Sequence, residues 1–232
     1  MNKTEWFYDE RFWEEFAPII FDRKRWEEVD LAADAVTRMA RLALYEETPG
    51  PKTESNTKRS FTQKAATVNA ERPRLLDLCC GFGRMSLEFA RRGFAVTGVD
   101  ITKTYLAAGR EDAEAEGLEI EFVQEDIRRF RRNAAFDLAV NLYNSFGYFE
   151  DPADDRIFVK NVYDSLRNGG TFIIDVLGKE IAVRDYTEAE WFEKAGYIVL
   201  TEYEPVDSWG SVWNRWILIK DTERIEKVFI QR

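Results

Sequence analysis

Residues 74–100 constrain the fold of this chain more than any other stretch of it. The apolar run Leu75–Cys80 contains a single acid, Asp77, and is typical of a buried parallel strand. Residues 84–92 then have the spacing of a helix that packs on a sheet, and residues 94–99 form a second apolar run. The order of strand, glycine turn, helix and strand predicts one β-α-β unit of an α/β fold.

The turn between the first strand and the helix indicates what this unit binds. Gly81 and Gly83 stand where the backbone must turn sharply and leave room for a ligand. The turn exposes backbone N–H groups at a helix N-terminus, and Asp100, at the tip of the second strand, can accept both hydroxyls of a ribose. A nucleoside-containing cofactor is therefore expected. The dinucleotide pattern Gly-x-Gly-x-x-Gly is incomplete, because Ser86 stands in place of the third glycine.

The acid inside the first strand points to a second class of cofactor. The segment from Asp77 to Gly83 resembles the first motif of the class I S-adenosylmethionine-dependent methyltransferases, which runs acid-x-Gly-x-Gly-x-Gly. Cys79 stands where the first glycine of that motif usually does. The resemblance covers roughly residues 74–178 and continues in order through Asp100, Asp126, Phe136–Asn141 and Leu166–Asp175.

The resemblance implies a Rossmann-like, doubly wound and mostly parallel α/β sheet that binds S-adenosylmethionine. In that family the glycine turn lies beneath the methionine part of the cofactor, Asp100 would hold the ribose, and Asp126 with Ile127 would hold the adenine. Asn141 would line the route to the transferable methyl group. The cofactor-binding residues implied in this way are Asp77, Cys79, Gly81, Gly83, Asp100, Ile101, Asp126, Ile127 and Asn141. As a solvent-facing strand tip, Asp100 is expected to contribute little to stability.

Further candidate site residues lie outside these motifs. Tyr143, Tyr148 and Asp175, close to the expected strand tips, are candidates for orienting a methyl acceptor or removing its proton. Packing of an aromatic loop explains the two tyrosines equally well. Tyr8 belongs to an aromatic helix face predicted over residues 5–16 and is a candidate cofactor contact. That helix is either a lid over the site or an element packed on the sheet edge.

The composition excludes several classes of function. The 232 residues carry a formal net charge of −10, which disfavours a general nucleic-acid binder, because phosphate neutralisation needs a positive surface. The chain has no histidine, which excludes a Ser-His-Asp triad and histidine-based acid–base catalysis. Cys79 and Cys80 are the only cysteines and are adjacent, so no metal site is expected.

The expected setting follows from the same features. No apolar run approaches the length of a membrane span, and the charged N-terminus lacks the shape of a signal peptide. We therefore expect a cytoplasmic protein with a small-molecule substrate, no nucleic-acid or membrane partner, and a monomeric or homodimeric state.

The rest of the chain is interpreted as additions to one domain over residues 1–232. A helix predicted over 27–47 carries Leu31, Ala35 and Met39 on one face, and residues 50–70 are too polar to order easily. The expected organisation is N-terminal helices in 1–47, a loop insertion in 48–73, the cofactor-binding core in 74–178, and a helical and β extension in 179–232.

The C-terminal extension is predicted to be antiparallel. Residues 180–195 are expected to be partly helical, and residues 197–203, 212–219 and 225–230 alternate apolar with polar side chains. The resembled fold usually has seven strands, whereas five parallel strands are predicted here. We therefore expect either a truncated chain or an extension that covers the sheet edge.

Three functions are compatible with these observations. A methyltransferase that acts on a small molecule is favoured over an NAD(P)-binding Rossmann oxidoreductase, because of Ser86 and Asp126. A non-catalytic module that binds a nucleotide cofactor would keep Asp100 but lack a substrate cavity.

Overall fold

The computed structural model describes residues 5–40, 45–47, 61–63 and 72–232. A short 3-10 helix, Trp6–Tyr8, precedes the first α-helix. The α-helices are α1 Glu10–Ile20, α2 Arg23–Glu27, α3 Val29–Met39, α4 Arg84–Arg91, α5 Lys103–Ala115, α6 Pro152–Ser165 and α7 Lys179–Arg184. The strands are β1 Tyr45–Glu47, β2 Phe61–Gln63, β3 Arg74–Leu78, β4 Ala95–Asp100, β5 Ile120–Gln124, β6 Phe136–Asn141, β7 Leu166–Ile174, β8 Ala189–Lys194, β9 Tyr197–Val206, β10 Ser211–Lys220 and β11 Glu223–Gln231.

Five strands form a parallel sheet in the order β5-β4-β3-β6-β7. The chain therefore winds outward from β3 to one edge and then, from β6, to the other. Between β3 and β6 the strand order reverses, and in such sheets this point leaves a crevice beyond the carboxyl ends of the strands. The predicted Rossmann-like α/β fold is confirmed.

The central strands are buried on both faces, which explains their continuous apolar character. Leu75 of β3 and Leu138 of β6 pack with α3 and α4 on one face of the sheet. Leu76 of β3 packs on the opposite face, with Phe158 and Val162 of α6. Alternate side chains of one strand thus pack against helices on opposite faces of the sheet, as a doubly wound fold requires.

A separate four-stranded antiparallel sheet, in the order β11-β10-β9-β8, follows the parallel one. Its inner face packs on α1, where Phe12 and Phe16 contact Val199, Leu218 and Phe229. The predicted antiparallel extension is confirmed, but its inner face is covered by α1 and not by the edge of the parallel sheet. The edge strand β8 lies within the stretch 180–195, which is predicted to be partly helical.

The N-terminal region differs from the prediction in two respects. The helix expected over 27–47 is shorter, since α3 covers only Val29–Met39, and Tyr45–Glu47 is a strand that pairs with Phe61–Gln63. Within α3 the buried side chains are Val29, Ala33 and Val36, whereas Leu31 and Met39 are exposed. Apart from Phe61–Gln63, the polar segment 50–70 lies outside the described residues. Among the described helices, none is long and apolar enough to cross a membrane.

Candidate functional site

A cavity opens at the carboxyl ends of β3, β4, β5 and β6, beneath the N-terminal segment. Strand-end residues form its floor: Asp77, Cys79, Cys80, Gly81, Asp100, Ile101, Thr102, Asp126, Ile127, Leu142 and Tyr143. The N-terminal segment and the loop after β6 supply its walls: Phe7, Trp13, Ile20, Phe21, Arg25, Ser145, Tyr148 and Phe149. Seven of the predicted cofactor-binding residues therefore line one cavity, at the place where the strand order predicts a ligand.

The turn after β3 owes its shape to three residues with positive φ. Cys79, Gly81 and Gly83 have φ values of 58°, 57° and 75°. The turn thus accommodates a cysteine in a left-handed conformation that favours glycine, and backbone outliers of this kind cluster at functional sites. Gly83 does not line the cavity; a Cβ atom there would lie 2.7 Å from the ring of Phe122, so this glycine permits close packing.

Asp100 holds the turn in place. One of its carboxylate oxygens accepts a hydrogen bond from the backbone N–H of Gly81 at 2.8 Å, and the other accepts one from the N–H of Thr102 at 2.8 Å. Burial raises the pKa of the Asp100 carboxyl, and these two bonds oppose that shift. The side chain is buried and bonded, so the expectation that Asp100 contributes little to stability is wrong.

Asp77 lies deeper, under the first turn of α4. Its carboxylate accepts a hydrogen bond from the hydroxyl of Ser86 at 2.6 Å. Burial raises the pKa of Asp77 to about 6, although the bond from Ser86 acts in the opposite direction. The residue that breaks the dinucleotide pattern thus has a specific role, because a glycine at position 86 could not make this bond.

Asp126 is the centre of a charged network at the adenine end implied by the resemblance. Arg128 pairs with it at 2.7 Å, and the hydroxyl of Tyr8 donates a hydrogen bond to the same carboxylate. Burial alone would raise the pKa of Asp126, but the bonds from Arg128 and Tyr8 lower it. Arg128 also pairs with Glu5 at 2.8 Å. Tyr8 therefore contacts the site through Asp126 and lines a neighbouring groove instead of the main cavity.

Asn141 does not line the cavity, contrary to the prediction. It is fully buried, and its amide donates a hydrogen bond to the carbonyl oxygen of Leu78 at 3.0 Å. The side chain therefore ties the end of β6 to the end of β3, across the point where the strand order reverses. It supports the floor of the site from below.

The three candidate catalytic residues occupy different positions. Tyr143 and Tyr148 both line the cavity, and burial raises the pKa of the Tyr148 hydroxyl. Asp175 does not line it: this exposed carboxylate accepts a hydrogen bond from the backbone N–H of Tyr143 at 3.1 Å. Tyr143 and Asn144 have φ values of 59° and 60°, and Asp175 stabilises that strained turn. Its contacts support a positioning role.

Arg84 lines the cavity although it was absent from the predicted site. Its guanidinium is 6% exposed, donates a hydrogen bond to the carbonyl oxygen of Arg25, and lies 4.1 Å from the ring centroid of Tyr143. No ion pair within 4.0 Å that joins described residues includes it, and burial lowers its pKa. Asp77 attracts this cation electrostatically, but among the described residues no carboxylate pairs with it directly, as expected of a receptor for an anionic group.

Residues 75–170 match the sequence profile of a family described as "Methyltransferase domain". Over this stretch the predicted resemblance to the class I S-adenosylmethionine-dependent methyltransferases is confirmed. S-adenosylmethionine is accordingly the expected cofactor, in preference to NAD(P).

Individual relatives agree with this assignment. A protein of Geobacillus sp. (strain WCH70), inferred to be a methyltransferase, is 31% identical over 119 residues, which are 50% of this chain and 48% of that protein. A ubiquinone biosynthesis O-methyltransferase of Ruegeria pomeroyi is 29% identical over 175 residues, covering 63% of this chain and 68% of that enzyme. The match thus spans about half the length of the first relative.

The fold is shared with solved structures. An S-adenosylmethionine-dependent methyltransferase from Clostridium acetobutylicum ATCC 824 superposes with a TM-score of 0.63 at 17% identity. The superposition covers 96% of this chain and 79% of the other. At this identity the likeness concerns the fold.

The residues of the methyltransferase domain fit the expected cofactor. S-adenosylmethionine carries a carboxylate, a ribose and an adenine, and the cavity places Arg84, Asp100 and Asp126 at separate points of its lining. The buried Arg84 has no carboxylate of its own chain among the described ion pairs, so a carboxylate of the ligand would supply the missing charge.

A local conflict in the sequence could have revealed Arg84. It is the first residue of α4, where the helix dipole favours an acid and disfavours a cation. A charge that opposes its local environment is typical of a functional position. Arg25, Trp13 and Phe21 carried no comparable signal, because only the tertiary fold brings the N-terminal helices over the strand ends.

The raised pKa of Asp77 leads to a prediction about stability and pH. The folded protein holds a proton on Asp77 up to about pH 6, whereas the ordinary pKa in an unfolded chain is 3.8. The folded state therefore binds more protons between these values, and stability falls as pH rises through that window. Relative to Asp77→Asn, the wild-type free energy of unfolding should fall by about 2 kcal/mol between pH 4.5 and 7.

Urea unfolding of both proteins across this pH range measures the difference. The asparagine retains an acceptor for Ser86 and changes only one titratable group, so the contributions of all other groups cancel. A difference that stays constant with pH would contradict the burial of an uncharged Asp77.

Proposed function

We propose that this protein is an enzyme that transfers a methyl group from S-adenosylmethionine to a small-molecule acceptor by in-line displacement. The observation that supports this most directly is the cavity itself: the residues suited to the cofactor and the aromatic walls suited to an acceptor line one enclosed space. A module that only binds the cofactor would need no such second set of walls.

The walls of the cavity favour a small acceptor. Trp13 and Tyr148 lie with nearly parallel rings 6.3 Å apart, and Phe7 and Phe149 pack edge to face beside them. These rings pack on one another and form a short apolar wall, which suits a compact acceptor better than a folded macromolecule. The net charge of −10 also disfavours an RNA acceptor, and the Ruegeria relative is by name an enzyme of ubiquinone biosynthesis.

S-adenosylmethionine supplies, when bound, a methyl group on a positively charged sulfur. The part of this chain is then chiefly to orient and to exclude water, because holding two reactants in line can account for a large share of the rate. Asp100 would accept the ribose hydroxyls, Asp126 and Ile127 would hold the adenine, and Ile101 and the turn at Gly81 would form the floor between them.

Tyr143 and Tyr148 would orient the acceptor. Because burial raises the pKa of Tyr148, this hydroxyl stays protonated at neutral pH and can donate a hydrogen bond, but it is a poor base. Asp175 would act indirectly, by fixing the strained backbone of Tyr143. An acceptor that is already nucleophilic, such as an amine, suits a site of this kind.

Methyl transfer can be tested without knowing the acceptor. The purified protein is incubated with S-adenosylmethionine carrying a labelled methyl group and with fractionated metabolite extracts. We expect label to appear in a small organic product together with S-adenosylhomocysteine. Cofactor binding without transfer to any fraction, including RNA and protein fractions, would favour the non-catalytic module.

Asp100 provides the second test of this proposal. Charge-assisted hydrogen bonds contribute on the order of 1.5–3 kcal/mol each, so Asp100→Ala should weaken binding of S-adenosylmethionine ten- to several hundred-fold. The same change removes the bonds to Gly81 and Thr102 and should lower the free energy of unfolding by about 2–4 kcal/mol. Asp100→Asn should keep part of the affinity and part of the free energy of unfolding, since its amide oxygen accepts one bond.

Calorimetric titration and urea unfolding of the two Asp100 variants measure these effects. Asp112→Ala, which removes an exposed acid of α5, is the control and should leave affinity unchanged. Intact affinity in folded Asp100→Ala would show that Asp100 only supports the turn.

Arg84 provides a test of how the methionine part is recognised. Arg84→Met should weaken binding of S-adenosylmethionine about 10- to 100-fold, because one charge-assisted interaction is lost. Binding of 5′-deoxy-5′-methylthioadenosine, which lacks the carboxylate, should be unaffected. The free energy of unfolding should change little, since the variant removes the desolvation cost of a buried cation together with its hydrogen bond to Arg25 and its attraction to Asp77.

Arg91→Gln is the matched control for Arg84→Met. Arg91 lies on the same helix, α4, but is paired with Glu116 at 2.6 Å away from the cavity, so its replacement should not alter affinity. Equal loss of affinity for both nucleosides in Arg84→Met would mean that the turn has changed shape. That result would contradict a carboxylate receptor.

A further inference from the structure

The antiparallel sheet β8–β11 has an outer face that no described element covers. Side chains alternate along each strand, and the inner set, which includes Val199 and Leu218, packs on α1. The outer set contains Trp191, Ile198, Val228 and Ile230, which are 68%, 43%, 46% and 50% exposed. Exposed apolar side chains and charged side chains thus share this face, a composition that suits an interaction surface.

The strand register arranges the outer face in rows that run across the four strands. One row is Ala189, Glu202, Arg215 and Val228. The next row is Trp191, Leu200, Ile217 and Glu226, and the third is Glu193, Ile198, Ile219 and Arg224. The charged residues therefore include both signs. In the first row Glu202 lies beside Arg215, and in the third row Glu193 and Arg224 lie at the two ends.

We propose that this outer face is the interface of a symmetric homodimer, in which two copies of the sheet pack face to face about a two-fold axis parallel to the strands. Such an axis exchanges the order of the strands but keeps each row at its own height. It therefore places β9 over β10 of the second copy and β8 over β11 of the second copy, and each contact occurs twice, as in any isologous interface.

This operation brings opposite charges together. Glu202 meets the partner's Arg215, and Glu193 meets the partner's Arg224. Within one chain Arg215 already pairs with Glu202 at 3.0 Å and with Glu226 at 2.7 Å. The contact with a second copy would extend these exposed pairs into a network that spans the interface, which gives register and specificity.

The same operation brings apolar side chains together. Leu200 meets the partner's Ile217, Ile198 meets the partner's Ile219, and Ala189 meets the partner's Val228. Five of the six exchanges in these three rows are thus complementary, although Ile217 is only 6% exposed and adds little area to its exchange with Leu200. The exception places Trp191 against the partner's Glu226. A face that matches itself under one rotation favours a second copy over an unrelated partner.

Size and charge are compatible with this interface. Four strands about 4.8 Å apart and about eight residues long give a face of about 19 Å by 27 Å, which corresponds to about 1,000 Å² buried between two copies. That value is near the lower limit for a specific interface, so a dimer of micromolar affinity is expected. Two chains of net charge −10 repel elsewhere, and here their acids meet arginines.

Sedimentation velocity of the full chain, from about 1 to 100 µM, tests the proposal. We expect a concentration-dependent species of twice 27.1 kDa. Ile198→Glu, on the inner strand β9, and Val228→Glu, on the edge strand β11, should each raise the dissociation constant about 100-fold or more, because they bury an unpaired charge. Arg215→Glu should also weaken the dimer, and adding Glu202→Arg should restore it, since the paired charges are then exchanged.

Tyr163→Glu is the control, because this tyrosine of α6 is 76% exposed and lies outside the antiparallel sheet. It should leave the dimer unchanged. Circular dichroism and melting curves at low concentration verify that each variant folds. A wild-type protein that stays monomeric at every concentration would overturn the proposal, as would a dimer that Tyr163→Glu disrupts while Ile198→Glu and Val228→Glu do not.

Discussion

The carboxylate of Asp100 is bonded to two backbone N–H groups, and the geometry of the cavity floor depends on this interaction. By accepting from Gly81 it fixes the turn after β3, and by accepting from Thr102 it fixes the start of α5. The ends of two neighbouring strands are thus joined through one buried charge. Because both oxygens point into backbone bonds, a ligand hydroxyl that reaches Asp100 meets acceptors already held in place, and little ordering entropy remains to be lost on binding.

Around this bond the cavity combines charges that are unfavourable without a ligand. Asp77 and Asp100 are both buried, burial raises the pKa of each, and the charge of Asp100 raises the pKa of Asp77 further. Among the described residues no carboxylate pairs directly with the buried Arg84, and the backbone of Cys79 and Tyr143 is left-handed. A ligand that carries both a carboxylate and cationic groups would compensate these charges together. The free-energy cost of these buried charges and strained residues is concentrated at one set of strand ends, as expected of a preorganised binding site.

The sequence was informative where structure depends on neighbours along the chain. The β3–α4–β4 unit, the acids at the strand tips and the antiparallel alternation all follow from local patterns, and the fold class was predicted correctly. Whether a given side chain points into the cavity could not be predicted from such local patterns. Asn141 and Asp175 stand at predicted strand ends but point to backbone partners, and Arg84 was overlooked because its burial arises from contacts with Arg25 and Tyr143. In α3, Leu31 is exposed because tertiary packing selected the face of Val29 and Ala33.

Helix α1 packs on the antiparallel sheet and also contributes a wall of the cavity at the ends of the parallel strands. Phe12 and Phe16 belong to the core of the antiparallel sheet, whereas Trp13, on the other side of the helix, walls the cavity and accepts a hydrogen bond from the hydroxyl of Tyr105 through its carbonyl oxygen. Lys227 of β11 pairs with Asp9 at the start of the same helix. A displacement of α1 that widens the cavity must therefore disturb packing under the antiparallel sheet. The second sheet is in this sense part of the site, since it sets how far the aromatic wall can move.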